Sequence, residues 1–87
     1  MGKYRVVFRK SVAKDLRPIP NQDLRKILTA IESLSENPRP SGNEKLSGKD
    51  KYRIRQGNYR IIYEINDKEV VVIVVKVGHR KDVYQRS

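Results

Sequence analysis

The chain has 87 residues, of which 37% are hydrophobic and 34% are charged, so it suits one domain, residues 1–87, with a small core. Twenty Lys and Arg residues against ten Asp and Glu residues give a formal charge of +10, which favours a polyanionic partner such as nucleic acid. The absence of cysteine excludes disulfides and fits the cytoplasm. The chain has one histidine, which argues against a metal site. Its longest apolar run, residues 70–75, is too short to span a membrane.

The first half of the chain predicts a strand followed by two helices. "KYRVVFRK" alternates between two faces, as a strand does, and Ser11 is placed to cap a short helix. Pro18 and Pro20 interrupt that helix, and Asn21 is placed to cap a second one. The second helix carries one apolar stripe, formed by Leu24, Ile27, Leu28, Ile31 and Leu34.

The second half predicts three strands. "KYRIRQGNYRIIYEI" is typical of a hairpin with Gly57 and Asn58 as a two-residue turn, and "KEVVVIVVKV" indicates a strand that is buried on both faces. We therefore expect an α+β fold with the order β-α-α-β-β-β. Its sheet should be small, twisted, four-stranded and mainly antiparallel, with both helices on one face and a short C-terminal helical turn.

The hairpin register predicts a basic face. A Gly57-Asn58 turn sets Arg55 opposite Arg60 and places Arg53 on the same face, while Tyr52, Ile54, Tyr59, Ile61 and Tyr63 turn towards the helices. Like charges directly opposite each other are destabilising, and an anion between the arginines would offset that cost. Two other interpretations remain open: arginines splayed into water, or a three-residue turn that moves Arg60 to the other face.

The end of the chain, "KVGHRKDVYQRS", brings further polar groups to the same rim. A strand that ends at Gly78 would deliver Arg80 beside the hairpin, and a helical turn over residues 79–84 would place Arg80 and Tyr84 on one side. Arginine binds phosphate bidentately, and tyrosine can stack on a base or transfer a proton. Tyr84 is equally well explained as a core residue that closes the sheet, and His79 is better explained as a strand-end residue without chemistry.

"YRIRQGNYRIIYEI" followed by "VVVIVVKVGHRKDVY", together with "VVFRKSVAKDL" and "KLSGKDKYRIR", resembles the RelE family of bacterial toxins from type II toxin–antitoxin systems. The resemblance covers nearly the whole chain. It implies a small twisted sheet with two N-terminal helices, cleavage of mRNA in the ribosomal decoding site, and neutralisation by a cognate, acidic, RelB-like antitoxin. It implies no cofactor and no metal.

By position, the resemblance implies a catalytic set that consists of Arg53, Arg55, Arg60, Arg80 and Tyr84, with His79 as a further possibility. Additional contacts to RNA phosphates are expected from Lys49, Lys51 and Lys81. Well-known members carry lysines in place of Arg53 and Arg55, and arginine effectively cannot exchange a proton. These two residues should therefore act as fixed charge, which leaves Tyr84 or His79 to activate the 2′-hydroxyl in a metal-free transesterification.

Two other functional classes are consistent with the sequence. The related ParE-type toxins share the fold, poison DNA gyrase and need no nuclease site, and the full arginine set argues against that class. A non-catalytic RNA-binding module would show exposed aromatic side chains, whereas the hairpin tyrosines are predicted to face the helices.

Overall fold

The structure is a computed structural model, and it describes residues 3–46 and 50–79. Its elements follow the chain in the order strand, two helices and four strands. They are β1 (Arg5–Phe8), α1 (Lys10–Leu16), α2 (Asn21–Ser33), β2 (Glu44–Lys45), β3 (Lys51–Gln56), β4 (Tyr59–Asn66) and β5 (Val71–His79).

The strands form one mixed sheet of five strands in the order β1-β5-β4-β3-β2. β1 runs parallel to β5, and the other three pairs are antiparallel. The expected four-stranded sheet is therefore wrong: the described residues form five strands, and although most pairs are antiparallel, the parallel β1–β5 pair makes the sheet mixed. A two-residue strand such as β2 shows no periodicity from which it could be predicted, and nothing local in "RVVF" specifies a parallel partner 66 residues later (Arg5 to Val71).

One face of the sheet and the two helices enclose the core. The hairpin contributes Tyr52, Ile54, Ile61 and Tyr63 to it, and Tyr59 packs against its edge, as the alternation predicted. β5 lies between β1 and β4, which agrees with the prediction of an interior strand. The helices bury Val12, Ile27 and Ile31, and Leu34 at the C-cap of α2 is also buried.

Three details of the helices differ from the sequence prediction. α1 begins at Lys10 with Arg9 at the N-cap, and α2 begins at Asn21 with Pro20 at the N-cap, so Ser11 and Asn21 are not caps. Leu28 is exposed, because only part of the apolar stripe of α2 reaches the sheet. Neither described helix is long and apolar enough to cross a membrane.

Polar contacts tie the helical layer to the sheet. Beyond the end of β1, Asp15 on α1 accepts a hydrogen bond from the backbone N–H of Val77 at 3.1 Å, and its other oxygen lies 3.7 Å from Nζ of Lys76. β1 pairs with β5 only as far as Val74, so these contacts from α1 bind the part of β5 that has no neighbouring strand on that side among the described residues. They fix the C-terminal part of β5, which borders the candidate site.

The segment between α2 and β2 is fixed to the sheet. The buried Tyr63 hydroxyl donates to the carbonyl of Pro38 at 2.7 Å, and Nδ2 of Asn43 donates to the same hydroxyl at 3.4 Å. Arg39 pairs with Asp67 at 2.9 Å and lies over the ring of Tyr52, 5.4 Å from its centroid. The chain therefore enters β2 from a firmly anchored position.

Candidate nucleic-acid interface

The arginine face, defined as Arg53, Arg55 and Arg60, lies on the side of the sheet opposite the core. The β3–β4 register sets Arg55 opposite Arg60 and Arg53 opposite Ile62, which confirms the predicted pairing. The two-residue turn at Gly57-Asn58 determines this register, and Gly57 has the positive φ of 61° that glycine adopts easily. The three guanidinium groups are therefore carried by a rigid hairpin.

The three arginines differ in exposure. Arg60 is only 4% exposed and is the one charged residue that is buried within residues 3–46 and 50–79. The side chain of Arg53 is 17% exposed, whereas that of Arg55 is 59% exposed. The exposure of the guanidinium groups thus increases from Arg60, which is buried, through Arg53 to Arg55, which extends into solvent. A held charge needs little rearrangement when it meets an anion.

A carboxylate that the sequence analysis did not single out completes this face. Glu44 on β2 lies opposite Arg53 on β3, and its Oε1 accepts a hydrogen bond from Nη2 of Arg53 at 2.9 Å. The same oxygen lies 3.7 Å from Nη2 of Arg55. The hydrogen bond and the charge of Arg53, with smaller effects of Arg55 and Arg60, lower the pKa of Glu44. Glu44 therefore supplies a negative charge beside Arg53 and Arg55, while the anion expected between Arg55 and Arg60 stays a prediction.

Of the six other predicted site residues, the structure describes Lys51 and His79. Lys51 shares the face of Arg53 by alternation along β3 and lies opposite Glu64. Gly78 does not end β5, which continues to His79, and Gly78 lies opposite Arg60. The four remaining predicted site residues lie outside the described residues, namely Lys49, Arg80, Lys81 and Tyr84.

His79 is placed on the helical side of the sheet rather than beside the arginines. It lies opposite Tyr59, which packs against the core, and the two rings meet edge to face with 5.6 Å between their centroids. A cavity of about 330 Å³ adjoins this pair, between α1 and the end of β5, and Lys14 and Lys76 also line it. In the described part of the chain, the sheet separates His79 from the arginine face.

The chemistry available on the arginine face is the binding and stabilisation of negative charge. Guanidinium groups donate paired hydrogen bonds to phosphate oxygens and stay protonated, so they cannot act as bases. Within the described ranges, no group of three His, Asp or Glu side chains is arranged to hold a metal ion. A phosphate that enters this face would meet preorganised positive charge and one competing carboxylate.

Comparison with known proteins places these features in a family context. The model of the family described as "ParE toxin of type II toxin-antitoxin system, parDE" matches residues 2–84. A putative toxin RelE1 of Methanocaldococcus jannaschii is 33% identical, and the match covers 95% of this chain and 97% of that protein. The mRNA interferase toxin RelE of Escherichia coli K12 is 28% identical, with 97% and 93% covered.

The fold is also similar to solved structures. The crystal structure of the archaeal RelE–RelB complex from Pyrococcus horikoshii OT3 contains a chain that superposes with a TM-score of 0.82. The two sequences are 36% identical, and the match covers 90% of this chain and 96% of that chain.

Proposed function

Because the chain belongs to the ParE toxin family of type II toxin–antitoxin systems and is a toxin of the RelE type, we propose that it is an mRNA interferase that cleaves translated mRNA in the ribosomal A site. The observation that carries this proposal is the arginine face, with Arg60 buried in the sheet surface and Arg53 and Arg55 beside it. A relative that is 28% identical is named an mRNA interferase, which supports the same activity.

The proposed reaction is a metal-free transesterification. The 2′-oxygen of a ribose attacks the adjacent phosphorus, and the new bond closes a 2′,3′-cyclic phosphate. The bond to the 5′-oxygen of the next nucleotide breaks, and that oxygen takes a proton from water and leaves as a 5′-hydroxyl. Negative charge grows on the phosphoryl oxygens as this happens. Fixed guanidinium groups stabilise that charge more in the transition state than in the substrate, which lowers the barrier.

Proton transfer is assigned to residues outside the arginine face. Arginine remains protonated, so Arg53, Arg55 and Arg60 contribute charge and position only. Tyr84, in its phenolate form, would take the proton of the 2′-hydroxyl, with neutral His79 as the alternative. Because the sheet separates His79 from the arginines in the described residues, Tyr84 is the better candidate.

The ribosome would supply what this sparse site lacks. In-line attack requires the 2′-oxygen, the phosphorus and the 5′-oxygen to be aligned, and holding reactants in such a geometry can contribute several kcal/mol to catalysis. A codon held in the A site is already ordered. The toxin then needs to add mainly charge stabilisation and one proton acceptor.

A cognate antitoxin is the proposed partner that restrains the toxin in the cytoplasm. The chain carries a formal charge of +10, which favours an acidic, RelB-like protein and rapid, electrostatically steered association. The structural relative from Pyrococcus horikoshii was crystallised as a RelE–RelB complex, which supports a partner of this kind.

The test is to induce the chain in bacteria and map newly formed mRNA 5′ ends against the reading frame. We expect cuts at a fixed position within codons of translated regions, and their loss when translation initiation is blocked. The matched control is the chain with Arg53, Arg55 and Arg60 all replaced by Gln, which should leave the mRNA intact. Cuts spread equally over untranslated RNA, or no cuts from the wild-type chain, would contradict the proposal.

A second candidate function is the poisoning of DNA gyrase, because the matching family model is that of a ParE toxin. Such an activity needs no arginine nuclease face. Inhibition of gyrase supercoiling by the purified wild-type chain, retained in the triple Gln variant, would favour this candidate.

The third class, a plain RNA-binding module, is disfavoured. Such a module would stack bases on exposed aromatic rings, whereas the hairpin residues Tyr52 and Tyr63 are buried and stack on each other, with 5.8 Å between their ring centroids.

A further inference from the structure

We propose that Glu44 is a built-in competitor of the substrate phosphate. Its carboxylate holds the guanidinium groups of Arg53 and Arg55 in the RNA-free toxin, and a phosphate of the RNA displaces it. The identity of the incoming group as an RNA phosphate rests on the function proposed above. The competition between Glu44 and an inorganic anion does not.

The contacts show that the carboxylate uses the donors that a phosphate would need. One oxygen of Glu44 receives a hydrogen bond from Arg53 at 2.9 Å and lies 3.7 Å from a terminal nitrogen of Arg55. Carboxylate and phosphate oxygens bind the same guanidinium N–H groups with similar geometry. An anion that binds between Arg53 and Arg55 must therefore share these donors with Glu44 or replace it.

Charge explains why an internal anion is placed here. Arg55 lies directly opposite Arg60, an arrangement of like charges that destabilises a sheet. Glu44 lies opposite Arg53 in the next strand pair and adds a negative charge to that cluster. It holds the guanidinium groups of Arg53 and Arg55 together in a protein that has no substrate bound.

Glu44 is also easily displaced. Its side chain is 49% exposed, and exposed ion pairs change an equilibrium by about twofold to fivefold only. β2 is two residues long, and the chain before it is fixed by the contacts of Pro38 and Asn43 with the Tyr63 hydroxyl. Rotation of the Glu44 side chain away from Arg53 therefore suffices, while the backbone of this segment keeps its place.

This arrangement would favour a well-positioned substrate over loose polyanions. A mobile phosphate on unstructured RNA must compete with a tethered carboxylate, which has a high effective concentration. A phosphate held in line by the ribosome does not lose that competition, because it is presented at the face already oriented. Glu44 would thus reduce nonspecific anion binding by a strongly basic protein.

The experiment is a titration of the purified toxin with inorganic phosphate, followed by NMR. Nε of Arg53 and Nε of Arg60 are both enclosed by protein, so their protons should exchange slowly enough to be observed. We expect Glu44→Gln to bind phosphate about twofold to fivefold more tightly than Glu69→Gln, the matched control. Glu69 is exposed in the turn between β4 and β5, and its replacement changes the net charge equally.

A second measurement needs no variant. In the wild-type protein, the carboxyl carbon signal of Glu44 should shift as phosphate binds, while that of Glu69 stays in place. Equal phosphate affinities of the two variants, weaker binding by Glu44→Gln, an unmoved Glu44 signal, or no phosphate binding at all would each overturn the proposal. These readouts involve neither RNA nor ribosomes, so failure of the proposed mRNA cleavage would be seen separately, in the 5′-end mapping.

Discussion

Replacing Arg60 with Met should separate catalysis from stability. Met is of similar length and apolar, so it can fill the space of a side chain that is 4% exposed. Removal of one preorganised charge donor typically costs about 10²–10³ in rate, or about 2.7–4 kcal/mol of transition-state stabilisation. Met fills most of the volume of the side chain, so the expected loss of stability is that of the polar contacts of the guanidinium, about 1–2 kcal/mol. The change also removes the repulsion with Arg55, worth roughly 0.2–1 kcal/mol.

The assay pairs single-turnover cleavage of ribosome-bound mRNA with thermal unfolding of the same preparations. We expect cleavage to fall at least about 10²-fold, and Tm to fall by no more than about 15 °C, since 1 kcal/mol corresponds to about 4–8 °C for a domain of this size. Arg25→Met on the exposed surface of α2 controls for the loss of one charge. Cleavage by Arg60→Met at the level of that control, in a folded protein, would refute the role of Arg60. A drop in Tm of more than about 15 °C would instead assign Arg60 a structural role.

Four further changes test other parts of the molecule. Replacing Arg53 and Arg55 together with Lys should retain substantial cleavage, since the positive charge remains; complete loss would show that the bidentate fork is essential. Tyr84→Phe should abolish single-turnover cleavage with ribosome binding unchanged if the hydroxyl transfers the proton, and near-normal cleavage by both Tyr84→Phe and Tyr84→Ala would remove this residue from the site. Tyr63→Phe should lower the free energy of unfolding by about 1–3 kcal/mol, because a buried carbonyl loses its donor; chemical denaturation would measure this, and an unchanged midpoint would contradict it. Hydrogen bonds from a neighbouring arginine and tyrosine lower the pKa of Asp67 from its ordinary value of 3.8. The stability that Asp67 contributes should therefore be complete above about pH 5 and decline as the pH falls below about 4. Unfolding of wild type and Asp67→Asn across this range should show a converging difference, and a constant difference would count against the ion pair.

The features that the sequence predicted correctly are those encoded locally. Alternation along β3 and β4 and the Gly57-Asn58 turn determine which residues face each other, so the Arg55–Arg60 pairing followed from the sequence and is confirmed. The resemblance to RelE toxins is confirmed by the family match and by the relatives. The inward orientation of Tyr52 and Tyr63 is confirmed by their burial.

The features that were missed depend on distant contacts. Glu44 joins the arginine face only because the segment before it is fixed to the Tyr63 hydroxyl and because two residues then pair with β3. The parallel pairing of β1 with β5 likewise reflects packing of the whole domain. The stretch from Arg39 to Arg60 has seven basic residues and two acidic ones, Glu44 and Asp50. The rarity of acidic residues in this basic stretch was the one sign in the sequence that Glu44 pairs with an arginine.

Site residues and core residues alternate along the same two strands of the hairpin, and this has a consequence for how the protein can change in evolution. A substitution at Arg53 or Arg55 alters the chemistry of one face and leaves the side chains of Tyr52 and Ile54 in place on the other. An insertion or deletion of a single residue within β3 would exchange the two faces, burying guanidinium groups and exposing the core. Descendants of this chain can therefore change residues of the arginine face without disturbing the core, but the lengths of the two hairpin strands should be held constant while changes in length accumulate in the connecting segments.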